Sequence, residues 1–149
     1  MWFRKSTPLF SQSEIQTIQQ RVKVSEANTS GEIRIYLEMH CTWMEPVRRA
    51  AEIFHDLKMF HTVNRNAVLI YLAYADHDFA LYADKGIYEN ADPGFWELEA
   101  KKLAQNFHQK AYMDGLIGAV DAVGKLLTQH YPLHGENKNE LPDEIIFGK

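Results

Sequence analysis

The sequence predicts one mixed α/β domain, a mixed β-sheet of three to four strands flanked by helices, and three observations carry that prediction. The segment Glu32-Ile33-Arg34-Ile35-Tyr36-Leu37-Glu38 alternates polar with apolar residues, the period of a strand with one buried face. The run Val68-Leu69-Ile70-Tyr71-Leu72 is apolar throughout and rich in β-formers, as expected for a central strand buried on both faces. Around these two, apolar residues recur every three and four positions, the pattern of helices covering a sheet.

Taken in order, residues 1–10 contain Pro8 and scattered aromatics without a period, and read as an irregular lead-in. Ser11 followed by Glu14 fits a capping box, and Ile15, Ile18 and Val22 mark one face of a helix reaching about Ala27. Asn28-Thr29-Ser30-Gly31 stops it before the first strand. Pro46 suits a first helical turn, and Val47, Ala50, Phe54 and Leu57 continue that helix. After the central strand, Tyr74 to Asp78 forms a short loop and Phe79 to Ala83 a third strand, paired as a hairpin. The first two strands then require a right-handed parallel crossover and the third runs antiparallel, which makes the sheet mixed.

Asp92 and Pro93 mark the start of a helix with Trp96, Ala100, Leu103 and Phe107 on its apolar stripe. A last helix carries Leu116, Val120, Val123 and Leu127 and stops near Pro132. Gly115, Gly118 and Gly124 within it read as positions of close packing rather than as a phosphate loop. The domain proper is therefore expected over 11–133. In the tail, 134–149, Leu141, Ile145, Ile146 and Phe147 predict docking on the domain or a short added strand.

Composition narrows the function classes. Sixteen Lys and Arg against 20 Asp and Glu, dispersed along the chain, give net −4 and argue against a nucleic-acid partner. The longest apolar stretch, Ala67 to Ala75, is too short to span a membrane, and the amino end lacks the pattern of a secretory leader. A cytoplasmic location is the expectation. A single cysteine, Cys41, excludes an intrachain disulfide and reads as a packing residue, and the seven histidines show no zinc-ligand spacing. No G-x-S-x-G or G-x-G-x-x-G occurs, so neither a serine hydrolase nor a dinucleotide site is indicated.

What stands out is acidity around the hairpin. Asp76 and Asp78 belong to its loop, whereas Asp84 follows its second strand, at the opposite end. There Asp84-Lys85-Gly86 approaches Arg65-Asn66, with Asp92 a few residues on. Carboxylates with amide oxygens suit Ca²⁺ or Mg²⁺, which makes Asp84 and Asp92 the candidate metal ligands and Arg65 and Lys85 the candidate phosphate contacts. The structural alternative pairs Asp84 with Arg65 and uses Asp92 as a helix cap.

Four strings in fixed order carry a family resemblance: Thr29-Ser30-Gly31-Glu32-Ile33-Arg34; Thr62 with Arg65-Asn66-Ala67-Val68-Leu69-Ile70; Tyr82-Ala83-Asp84-Lys85-Gly86-Ile87 with Trp96; and Asn139-Glu140-Leu141-Pro142-Asp143-Glu144-Ile145 with Phe147-Gly148-Lys149. From about residue 11 to the end the chain resembles the TPM domain family, its compact soluble bacterial branch in particular. The resemblance implies a mixed sheet flanked by helices. Some members are linked to divalent-ion binding, phosphatase activity or assembly with membrane proteins. The family's acidic region maps first to Asp84 and then to Asp92, while Asp76 is not carried over. Glycine-rich stretches of longer members are missing after Gly86, which weighs against phosphatase chemistry.

The leading expectation is a binding or accessory module that contacts another protein and takes Ca²⁺ or Mg²⁺. The alternatives are a metal-dependent phosphomonoester hydrolase and a homo-oligomeric scaffold built on the glycine-rich last helix. Whether the protein is an enzyme is left open by the residues.

Overall fold

The computed structural model describes residues 9–41, 43–135 and 140–148. The expected lead-in over 1–10 lies outside the described residues as far as residue 8, as do 136–139 of the tail. Helix α1 (Gln12–Glu26) begins with the predicted capping box: the Glu14 N–H donates to Ser11 Oγ at 3.2 Å and the Ser11 N–H to Glu14 Oε1 at 2.9 Å. Strand β1 (Glu32–Glu38) leads into α2 (Pro46–Asp56), with Pro46 in the first turn where its missing N–H costs nothing. The chain returns through β2 (Ala67–Ala73) and turns back in β3 (Asp78–Ala83).

Three helices and a short strand complete the fold. They are α3 (Lys85–Tyr88), α4 (Phe95–His108), α5 (Tyr112–His130) and β4 (Ile146–Phe147). The single turn α3 has no counterpart in the sequence reading, because four residues are too few for a period to be visible. Helix α4 starts later than Asp92 and Pro93 suggest. Gly94 takes the N-cap position at φ 81°, and the Asp92 carbonyl accepts from the Phe95 N–H at 3.0 Å, so this segment forms a turn.

The sheet order is β3-β2-β1-β4, with β1 parallel to β2 and to β4, and β2 antiparallel to β3. All seven residues of β2 are buried. Val68, Ile70 and Leu72 face α1, α4 and α5 with Ile33, Ile35 and Leu37; Leu69, Tyr71 and Ala73 face Ile53 and Phe54 of α2 and Met59 in the turn after it. The tail adds β4 beside β1 and buries Leu141 and Ile145.

Two of the three glycines in α5 are packing positions. A Cβ on Gly115 would lie 2.9 Å from Asn106 Cβ on α4, and one on Gly124 would lie 2.7 Å from Ser25 Cβ on α1. Gly118 faces open space. Thr29, fully buried, ties the α1–β1 loop to the end of α5. Its hydroxyl lies 3.1 Å from the Leu127 carbonyl and 2.6 Å from that of Tyr131, and it accepts the Gly31 N–H at 3.0 Å.

Candidate functional site

Of the residues singled out from the sequence, Arg65, Asp84 and Lys85 meet at one end of the sheet, and the Asp84 carboxylate is taken up within the protein. Asp84 is only 5 % exposed and binds Arg65 through both carboxylate oxygens, Nε to Oδ2 at 2.6 Å and Nη2 to Oδ1 at 2.8 Å. The same carboxylate caps α3 by accepting the Lys85 N–H at 2.8 Å. Gly86 explains the tight path here: a Cβ on it would lie 2.1 Å from the Asn64 carbonyl oxygen. Lys85 is exposed. Asp92 is exposed too and, among the described residues, makes no side-chain hydrogen bond or ion pair with Asp84, Arg65 or Lys85. The structure thus joins Asp84 to Arg65 and leaves Asp92 outside that pair.

At the far end of the hairpin Asp76 accepts the Cys41 N–H at 2.7 Å and lies 2.7 Å from His40 Nδ1. The His40 contact, followed by the Cys41 N–H, holds the Asp76 carboxyl below its usual range. Asp78 is already part of β3, opposite Ala73. Cys41 is buried, and burial pushes its thiol up, away from a reactive thiolate.

A different acidic cluster forms where the tail meets the sheet. Glu26 on the last turn of α1, Glu32 at the start of β1 and Asp143 in the tail bring carboxylate oxygens within 4.8 Å of one another. Glu26 and Glu32 are each 2 % exposed. Glu26 Oε2 accepts the Ile33 N–H at 2.6 Å, and the two oxygens of Glu32 accept the N–H groups of Leu141 and Glu140 at 3.1 and 3.0 Å. Burial, then a hydrogen bond with Asp143, drives the Glu26 carboxyl up to about 10, against the pull of the Ile33 N–H. Burial likewise raises Glu32 to about 7, opposed by the two tail N–H groups. Close by, burial lowers the Arg34 guanidinium while Glu144 and Asp143 support its charge.

The sequence carried one signal for this cluster. Glu26 lies four residues after Val22, on the continuation of the apolar stripe Ile15, Ile18, Val22, where an acid has to be buried. Glu32 looked like an ordinary outward position, and nothing local places Asp143 beside it.

The donor set fits a hard divalent cation. Oxygens bound to one Ca²⁺ at about 2.3–2.6 Å lie at most about 5 Å apart, and these carboxylates already satisfy that limit. Such an ion would take the place of the protons that Glu26 and Glu32 otherwise retain.

The fold recurs in other proteins. The chain shares 34% identity with the BA42 protein of the psychrophilic bacterium Bizionia argentinensis, whose NMR structure superimposes with a TM-score of 0.83 over 93% of this chain and 94% of that one. The N-terminal domain of the cg2496 protein from Corynebacterium glutamicum, 13% identical, has the same fold, with a TM-score of 0.63 over 85% of this chain and 83% of that one. No curated protein matches the sequence. Among the described residues no helix is long and apolar enough to cross a membrane. The TPM domain profile matches residues 4–126, which take in Glu26, Glu32, Arg65 and Asp84, and the chain belongs to the TPM domain family.

Proposed function

We propose that this chain is a binding or accessory module in which Glu26, Glu32 and Asp143 hold a divalent cation, Ca²⁺ or Mg²⁺, at the junction of α1, β1 and the tail. The observation that carries the reading is the convergence of three carboxylates, their oxygens within 4.8 Å, at a buried point. Like charges gathered out of water are costly unless a proton or a cation neutralises them. When bound, the ion would offset two of the three negative charges and fasten the tail to the sheet. Glu32 already holds the tail through the N–H groups of Glu140 and Leu141, so loading the site and docking the tail are mechanically one event.

The test is calorimetric titration of the metal-free protein with CaCl₂ and MgCl₂ at pH 6 and pH 8, in two buffers of different ionisation enthalpy. Saturable heat, tighter binding at pH 8 and net proton release are expected, with all three lost in Glu32→Gln. Absence of saturable heat at both pH values, with no amide shifts near residues 26, 32 and 143, would remove the cation from the reading.

Hydrolysis of phosphomonoesters at Asp84 has less support, because Arg65 occupies both carboxylate oxygens. Metal-dependent phosphate release by the wild type that vanishes in Asp84→Asn would reverse that ranking. A homo-oligomeric scaffold on α5 is weakened by the use of Gly115 and Gly124 in contacts within the chain.

A further inference from the structure

The edge of the sheet opposite the tail lies at the bottom of a groove. Strand β3 is the edge strand, and its register with β2 is continuous from Asp78 opposite Ala73 to Ala83 opposite Val68, without a bulge. Asp84 donates its N–H to the Ala67 carbonyl at 2.9 Å, so the narrow pairs of this antiparallel ladder fall on Asp84, Tyr82 and Ala80. The backbone N–H and C=O groups of Phe79, Leu81 and Ala83 therefore point away from the sheet. Among the described residues, no hydrogen bond from elsewhere in the chain reaches them.

Helices α2 and α4 stand on either side of this edge. The groove between them has a volume of about 640 Å³, with Val47 and Phe54 on one wall, Trp96 and Ala100 on the other and Ala80 to Ala83 at its base. Sheet edges are ordinarily blunted by Lys, Pro, a bulge or a covering element. Phe79-Ala80-Leu81-Tyr82-Ala83 has none of the first three, and its stretch from Ala80 to Ala83 lines the groove.

We propose that this groove takes one extended segment of a partner protein as an added strand. The partner's backbone pairs with Phe79, Leu81 and Ala83, and its alternate apolar side chains lie against the two helices. Charge selects the occupant. At the rim Arg65 and Asp84 cancel, leaving Lys85 against Glu89 and Glu97, a slightly acidic mouth that suits a neutral to weakly basic peptide. A second copy of this chain would present the same acidic rim and the same two flanking helices, so charge and shape disfavour it. The groove is separate from Glu26, Glu32 and Asp143, and the inference stands whether or not those residues bind a cation.

The probe is a capped heptapeptide, acetyl-Lys-Val-Thr-Val-Thr-Val-Lys-amide, at millimolar concentration, followed by amide hydrogen exchange on the full chain. In the free protein the amides of Phe79, Leu81 and Ala83 should exchange at least tenfold faster than those of Ala80 and Tyr82. The peptide should slow those three at least tenfold. Methylating its backbone nitrogens at alternate residues, in the two possible phases, should weaken binding at least tenfold in one phase and little in the other. Ala83→Pro removes an outward N–H without touching the ladder, and should weaken the peptide severalfold while leaving the melting temperature within a few degrees. Three results would overturn the proposal. These are protection of the three amides in the dilute free monomer, protection that grows with protein concentration alone, and no protection or no methylation phase effect with the peptide.

Discussion

Strand β1 begins and ends with a glutamate almost excluded from water, Glu32 at 2 % exposure and Glu38 at 6 %, and the fold treats them in opposite ways. Glu38 receives the Arg49 guanidinium through Nε at 2.8 Å and Nη2 at 2.9 Å, and the Tyr71 hydroxyl as well. Burial pushes its carboxyl up, but Arg49 and Tyr71 together outweigh burial and leave it below the usual range. Glu32 has comparable burial and two backbone donors but no cation opposite it among the described residues, so burial prevails, with a smaller push from Asp143, and it ends near 7. Burial alone does not decide what a buried acid becomes. The group placed opposite it does: a guanidinium at Glu38 and, among the described residues, no cation at Glu32.

The largest expected effect is at the balanced end. Arg49→Met would leave Glu38 buried without its cation and should cost about 3 kcal/mol in urea unfolding, the scale of a broken buried pair. Tyr71→Phe keeps the ring but loses a hydrogen bond to a charged acceptor, and should cost about 2 kcal/mol by the same measurement.

The acidic end predicts a pH dependence of opposite sense. Glu26 and Glu32 hold protons in the folded state at pH values where the unfolded chain, with carboxyls near 4.5, has lost them. Their contribution is therefore fully present below about pH 4.5 and is lost as pH rises, through about 7 for Glu32 and about 10 for Glu26. In metal-free buffer, stability should fall by up to about 1.4 kcal/mol per pH unit for each group between pH 5 and 7. Glu38, with its lowered carboxyl, contributes stability above its unfolded value that is lost only as pH falls further into acid. A melting temperature independent of pH from 5 to 8 would remove the distinction between the two ends. The smallest effect is expected for Glu26→Gln at pH 4.5, where it mimics the protonated acid and should change stability by less than about 1 kcal/mol, and above that pH it should remove the share of the pH dependence that Glu26 carries.

How far the sequence reveals these features depends on the range of the interaction. Alternation in 32–38, the apolar run at 68–72 and the capping box of Ser11 and Glu14 are written in neighbouring residues, and the strands and α1 follow from them. The pair of Arg65 with Asp84 was legible as an alternative because both flank predicted strands at the same end. Turn α3 is too short to leave a period. Asp143 joins Glu26 and Glu32 only after β4 has paired with β1, a juxtaposition of residues more than a hundred positions apart that no local pattern encodes. The free edge of β3 was invisible for a related reason: strand order, not strand sequence, leaves the backbone N–H and C=O groups of Phe79, Leu81 and Ala83 without a neighbouring strand among the described residues.

The buried hydroxyl of Thr29 bears on how the molecule folds and unfolds. It meets the Leu127 carbonyl across a sequence separation of 98 residues, so forming it closes a long loop, an entropic cost that favours late formation. Contacts of this kind tend to be absent from the transition state for folding, and losing them accelerates escape from the native state rather than slowing arrival. Thr29→Val should therefore steepen neither arm of the chevron but lift its unfolding arm, leaving the refolding rate within about twofold. Equal changes in both rates would mean that the α1–β1 loop and the end of α5 meet early. The fold would then be nucleated by a contact between distant parts of the chain.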